Sequence, residues 1–233
     1  ASPCGLAGGG PTRHAANGAV APPGVPQGFD MRDAPEGSRT VWPAGSAQEV
    51  AWSITANHGG GYAYRLCRKA GANESTALTE ACFERGHLAY ANATTSWIQY
   101  GADASSRRAI AAARVSTGTH PPGSAWTKNP IPACAGPSGG VGTPDCPAPQ
   151  FSPPLPGLFG YGSAACFRGG AGAGGNCTRA QREYWDRKFS FNIIDSVRVP
   201  AELPAGEYAL SWRWDAEQTP QVWAACADIT VTA

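Results

Sequence analysis

The chain carries four histidines, His14, His58, His87 and His120, and only His58 stands where the surrounding pattern would hold an imidazole rigidly. It lies in Thr55-Ala56-Asn57-His58-Gly59-Gly60-Gly61-Tyr62. The run before it, Val50-Ala51-Trp52-Ser53-Ile54-Thr55, alternates apolar and polar residues as a half-buried strand does, and Tyr62-Ala63-Tyr64-Arg65-Leu66 keeps the same period. A histidine at such a junction is expected to be exposed on a rigid edge, with glycines that let a large partner approach the backbone. That arrangement suits a metal ligand facing a flat surface. His14 falls in a Gly/Ala-rich coil and His120 precedes Pro121-Pro122, so both read as solvated loop residues; His87 follows the Cys82 segment with no partner in view.

The aromatic residues offer a second chemistry. A Trp or Tyr on a flat face presents an apolar body with a polar tip and stacks on sugar rings. Tyr62 and Tyr64 flank the histidine, and Trp97, Tyr100 and Trp126 sit near loops; Tyr62, just past the glycines, is the expected glycan contact. Trp52, Trp97, Trp212 and Trp214, at alternating strand positions, read as core. Other chemistries fall away. Gly162-Ser163-Ala164 lacks the Gly-x-Ser-x-Gly elbow. Adjacency of Asp215 and Glu217 does not make a glycosidase pair. No helix opens after Gly59-Gly60-Gly61, so phosphate binding is not expected.

The elements that must position these residues are strands joined by long loops. Gly 30 and Pro 21 together exceed average usage within the 233 residues, so much of the chain is loop. Residues 1–47 read as an irregular N-terminal arm. A strand pair is expected over 48–67, broken at His58–Gly61, with further strands at 96–100, 110–115, 189–194, 196–200, 207–214 and 221–231. Residues 117–177 read as a long Gly/Pro loop region. Thr178 and Gln181 form a capping box ahead of a short surface helix over 179–188. Little helix and many turn-linked strands predict an all-β protein, an immunoglobulin-like (fibronectin III-like) antiparallel β-sandwich with long disulfide-linked loops, in one domain over 1–233.

Composition bounds the setting. Charged residues are 15% and the net charge is +1, which argues against a nucleic-acid footprint or a polybasic membrane surface. No apolar run reaches the ~20 residues of a membrane span. The eight cysteines, Cys4, Cys67, Cys82, Cys134, Cys146, Cys166, Cys177 and Cys226, contain no C-x-x-C pair, which favours disulfides in an oxidising compartment. Sequence proximity favours Cys67–Cys82, Cys134–Cys146 and Cys166–Cys177, leaving Cys4 for Cys226, one choice among roughly a hundred connectivities. Sequons at Asn73, Asn92 and Asn176 agree with a secreted glycoprotein. The chain opens at Ala1-Ser2-Pro3-Cys4 without a signal peptide, as expected after processing or for part of a longer polypeptide.

Two segments carry a family resemblance. Trp52-Ser53-Ile54-Thr55-Ala56-Asn57-His58 followed by Gly61-Tyr62-Ala63-Tyr64 resembles the strand–histidine–strand segment of lytic polysaccharide monooxygenases, nearest to the chitin-binding type-4 domains. Gly206-Glu207-Tyr208-Ala209-Leu210, Trp214-Asp215, Gln221-Val222-Trp223 and Cys226-Ala227-Asp228-Ile229 resemble that family's final strand pair. Ser2-Pro3-Cys4-Gly5 and Thr127-Lys128-Asn129-Pro130-Ile131-Pro132-Ala133-Cys134 are similar to eukaryotic, algal-type secreted members. The resemblance implies one copper in a brace of an N-terminal histidine and a second histidine, nitrogen donors that leave a face open for oxygen. His58 then matches the second brace histidine, Trp223 the axial aromatic, Gln221 the amide that orients bound oxygen species, and Ala56 a residue shaping the axial face. Residue 1 is Ala, so the first ligand would lie upstream; His14 lacks the amino group that a terminal histidine brings. The implied activity is copper-dependent oxidative cleavage of a β-linked glycan such as chitin or a cellulose-like polysaccharide. The alternative is a non-catalytic glycan-binding or structural module that meets other extracellular matrix proteins.

Overall fold

The computed structural model describes residues 2–10, 20–54, 57–69, 78–133, 149–155 and 191–233. Among them ten strands form two sheets. The larger has the order β1(Thr40–Pro43), β10(Val222–Thr232), β9(Gly206–Asp215), β3(Gly61–Arg68), β7(Trp126–Lys128), β6(Arg114–Val115). The smaller has the order β2(Ala47–Trp52), β8(Phe191–Arg198), β4(Thr95–Tyr100), β5(Arg108–Ala111). The pairings are antiparallel except β1 with β10, which is parallel. Trp42, Trp52, Tyr62, Tyr64, Ile98, Ile193, Leu210, Trp214 and Val231, drawn from both sheets, make one buried cluster between them. Period-2 alternation puts the apolar side chains of each strand on this shared face, as the all-β sandwich expectation requires.

Several elements differ from the sequence reading. The expected strand pair over 48–67 does not pair with itself: β2 bonds to β8 in the smaller sheet, and β3 bonds to β9 and β7 in the larger. The His58 segment is therefore a crossing between sheets. The expected run over 110–115 divides into β5 and β6, which belong to different sheets. β1 lies inside the expected coil, and β7 lies inside the expected Gly/Pro loop. Both are short pieces whose pairing comes from neighbours distant in sequence. The one α-helix among the described residues is α1, Glu80–Arg85, where Thr79 Oγ1 accepts from Cys82 N. The helix expected over 179–188 lies outside the described residues, as do Cys134, Cys146, Cys166, Cys177, Asn73, Asn176, His14 and Ala56.

The outer face of the larger sheet is covered as well. β3 is buried at almost every position, so Ala63, Arg65 and Cys67, which point away from the sandwich core, also lack solvent. Their cover is the N-terminal segment and α1, held by Cys4–Cys226 and Cys67–Cys82. Cys4, Cys67, Leu78, Phe83 and Ala209 form a second apolar cluster there. Across the sandwich runs a polar tie. The carboxylate of Asp195 on β8, fully buried, accepts from Tyr62 Oη (2.8 Å) and Ser96 Oγ (2.5 Å) and pairs with Arg114 of β6 (2.9 Å). A buried carboxylate persists only when its oxygens are met in this way.

Candidate functional site

The crossing segment Asn57–Gly60 is fixed from both sides. Asn57 Oδ1 accepts from Gly59 N (3.0 Å) and Asn129 Nδ2 (2.9 Å), and Asn57 Nδ2 donates to the Ile131 carbonyl (3.0 Å). Trp214 Nε1 donates to the Gly59 carbonyl at 2.7 Å. The backbone amides of Glu217 and Gln218 both donate to the His58 carbonyl at 3.0 Å. Gly60 has φ +78°, and a Cβ built on it would stand 1.9 Å from the Asp215 carbonyl oxygen. The glycines thus admit the protein's own β9–β10 turn. The expectation that they open the backbone to a large outside partner is corrected by that contact.

His58 itself is 7% exposed and lies with its ring stacked on Trp214, centroids 6.3 Å apart and planes at 18°. Burial pulls its pKa below the ordinary imidazole value, against an opposing hydrogen bond with Gln218. The expected exposed edge histidine is instead an inward, neutral ring, because the β9–β10 turn folds over it. Gln221 and Trp223 are brought to the same turn. Trp223 pairs in register with Trp214 and packs on the core, and its Nε1 donates to Gln221 Oε1 at 3.2 Å. The two side chains expected to serve an axial and an orienting role satisfy each other.

Tyr62 is a second correction. Its side chain has no exposure, its ring packs 4.7 Å from Trp52, and its hydroxyl donates to Asp195. It packs inside the sandwich, away from solvent. Among the described residues no group of three His, Cys, Asp or Glu side chains is arranged to hold a metal ion. His58 alone of the expected brace ligands lies among the described residues, so these do not by themselves make up a three-nitrogen copper centre.

The outer face of the same strands has a different character. Strand alternation sends Arg213 and Asp215 outward where Trp212 and Trp214 point inward. Asp215 grips Arg213 with both oxygens, Nε–Oδ1 2.7 Å and Nη2–Oδ2 3.0 Å, while Nη1 meets Glu80 Oε1 at 2.8 Å. β7 lays the partly exposed indole of Trp126 beside them, with the Arg213 guanidinium carbon 5.8 Å from its ring centre. Thr119, His120 and Lys128 complete an open groove of about 310 Å³. His120, 78% exposed, reaches Glu84 of α1 at 3.3 Å.

His87, for which the sequence shows no partner, lies behind Trp126 with ring centroids 5.7 Å apart. Burial first, then the charges of Arg65 and Arg213, push its pKa down to about 4, against the Ala125 backbone bond and Glu80. Arg65, Glu80 and Arg213 did not stand out as chemistry-bearing residues in the sequence. Their signal was the Cys67–Cys82 pair, which ties α1 to β3, and the Arg-x-Asp spacing of 213 and 215, which places both on one face. Asn92 lies in a turn, where its Oδ1 accepts from Thr94 N (3.1 Å) and Thr95 N (2.9 Å).

No family model and no curated protein sequence matches this chain. Among solved structures, it is similar to a lytic polysaccharide monooxygenase AA15 from Thermobia domestica in the Cu(I) state, with 15% identity and TM-score 0.35 over 82% of this chain and 61% of that one. It is also similar to the cellulose-active monooxygenase CelS2 in complex with copper, with 14% identity and TM-score 0.34 over 88% of this chain and 60% of that one. The chain thus spans about three fifths of the length of each. A likeness of this size defines neither a shared site nor a shared activity.

Proposed function

We propose that this chain is a secreted, single-domain polysaccharide-binding β-sandwich that acts by holding a glycan. The reading rests on one observation: Trp126 stands partly exposed in a groove beside an Arg213–Asp215 pair whose geometry is already fixed. An indole face covers the C–H face of a pyranose, and planar charged side chains bond adjacent hydroxyls two at a time. Because Glu80 and Asp215 hold Arg213 in place, little side-chain entropy is lost on binding. The sequence resemblance to chitin-binding type-4 domains supplies the ligand class, an insoluble β-linked glycan such as chitin or cellulose. The sequons, Asn92 among them, and the even cysteine count support secretion and glycosylation, and extracellular matrix proteins remain the expected neighbours.

Copper-dependent cleavage would need nitrogen donors from outside the described residues. The test is a pull-down on chitin and on microcrystalline cellulose, wild type against Trp126→Ala. The wild type is expected to partition to one of the two, and the variant to lose roughly tenfold or more in affinity for the loss of one stacking aromatic. Retention of full binding by the variant, or no binding of the wild type to either solid, would overturn the reading.

A further inference from the structure

A cavity of about 200 Å³ lies between the N-terminal segment and the outer face of the larger sheet, sharing Arg213 with the groove. Ser2, Pro3, Val222 and Ala224 form its wall, and Arg65, Arg213 and Glu80 its charged floor. We propose that this cavity binds a small oxyanion, a carboxylate or a sulfate, between the guanidinium groups of Arg65 and Arg213.

Three observations converge on it. Arg65 is a buried cation, its side chain 1% exposed, seated 5.4 Å over the Phe83 ring. Its Nη1 meets Glu80 Oε1 and its Nη2 donates to Ser211 Oγ at 3.0 Å, while its Nε meets no acceptor among the described residues. A buried donor of a charged group left in that state is costly, so the site has a use for a further acceptor. The second observation is charge. Arg65 and Arg213 share the one oxygen Glu80 Oε1, so within the lining two guanidinium groups face one carboxylate, with Asp215 compensating Arg213 from the groove side. Burial, reinforced by Arg213 and opposed by Glu80 and Asp215, lowers the pKa of Arg65. The third is size and wall. At about 30 Å³ per water the space takes several waters or one small oxyanion with water. Its Pro3, Val222 and Ala224 sides lower the local dielectric, which strengthens a charge-assisted bond. Glu80 opposes an incoming anion, and that opposition is itself testable.

The experiment is a titration of the whole chain with sodium acetate and with sodium sulfate, each against sodium chloride at matched ionic strength. It is followed by thermal unfolding and by calorimetry. Acetate or sulfate is expected to raise the unfolding temperature with saturation, and chloride to raise it less. Glu80→Gln, which keeps the shape and removes the competing charge, is expected to tighten binding by roughly tenfold. Arg65→Met is expected to abolish the saturable shift. Should that variant fail to fold, Glu80→Gln alone decides. A rise that never saturates and is equal for all three salts, or a Glu80→Gln variant that binds no tighter than wild type, overturns the proposal.

Discussion

The His58 corner and the Trp126 groove are built by the same two strands, β3 and β9, and differ because they occupy opposite faces of them. On the inner face, Tyr62 and Tyr64 stand opposite Trp214 and Trp212, and the hydrogen-bonding atoms of Tyr62 and Trp214 end on Asp195 and the Gly59 carbonyl. On the outer face, Gly61 and Ala63 stand opposite Asp215 and Arg213, leaving room for an indole and a groove. The inner set is closed to solvent: its rings pack on one another, and glycine lets the backbone complete the packing. The outer set has charged groups held in position but not capped. A binding surface needs solvent-facing groups on a rigid base, and the corner the sequence pointed to is turned away from solvent.

The strongest attack on that contrast is Gly60→Ala. The added Cβ meets the Asp215 carbonyl at 1.9 Å, a backbone atom that cannot swing away, and φ +78° strains any L side chain. The expected cost exceeds about 4 kcal/mol, enough to prevent folding in a protein of ordinary stability. Urea unfolding measures it. A variant within about 1 kcal/mol of wild type would mean the corner is not locked and His58 has room to turn outward.

How much of this was legible in the sequence follows from which distances set each feature. The strands β3, β4, β8, β9 and β10 announce themselves through alternation, a local signal that needs only neighbours two residues apart. β7 and β1 are three and four residues long and are strands only because β3 and β10 lie beside them, partners far along the chain. The His58 segment was visible as an interruption, but its direction was not. Whether glycines admit a ligand or the protein itself depends on where residues 215–218 fall, and no spacing near 58 encodes that. Tyr62 failed for a related reason. Alternation gives two faces but does not say which is solvent, and here α1 and the N-terminal segment cover the other face too. The disulfides Cys4–Cys226 and Cys67–Cys82 are the covalent trace of that cover.

A second prediction tests the outer face through His87. Its folded pKa of about 4 lies below the ordinary value of 6.5, so the unfolded chain takes up the proton first. Stability is therefore whole above pH 6.5 and falls as pH drops toward 4. By pH 5, before most carboxylates begin to titrate, the expected loss is on the order of 2 kcal/mol. His58, also depressed, adds a loss of the same sign. The residue pressing on His87 from β3 is Arg65, from β9 Arg213, and from α1 Glu80 in the opposite sense. His87→Gln is expected to flatten most of the slope of unfolding free energy between pH 7 and 5. An unchanged slope would place the ring in water and weaken the account of a buried cationic patch behind Trp126.

The smallest effect belongs to His120, on the rim of the same groove, and it separates being part of a site from being part of the fold. The ring is exposed, and its contact with Glu84 at 3.3 Å is an ion pair only when the imidazole is protonated. Exposed pairs of this kind contribute little, because water screens them and two free side chains must be ordered. His120→Gln is therefore expected to change unfolding free energy by less than about 0.5 kcal/mol at pH 7. If the groove holds a glycan, the same variant should weaken retention on the solid that Trp126 binds, since a rim amide cannot reproduce the ring's placement. A loss of binding with stability intact would set the rim beside Trp126 as a contact surface. A stability loss near that of a core residue would show that the loop at 116–125 is held by this contact, and the line between closed corner and open groove would have to be redrawn.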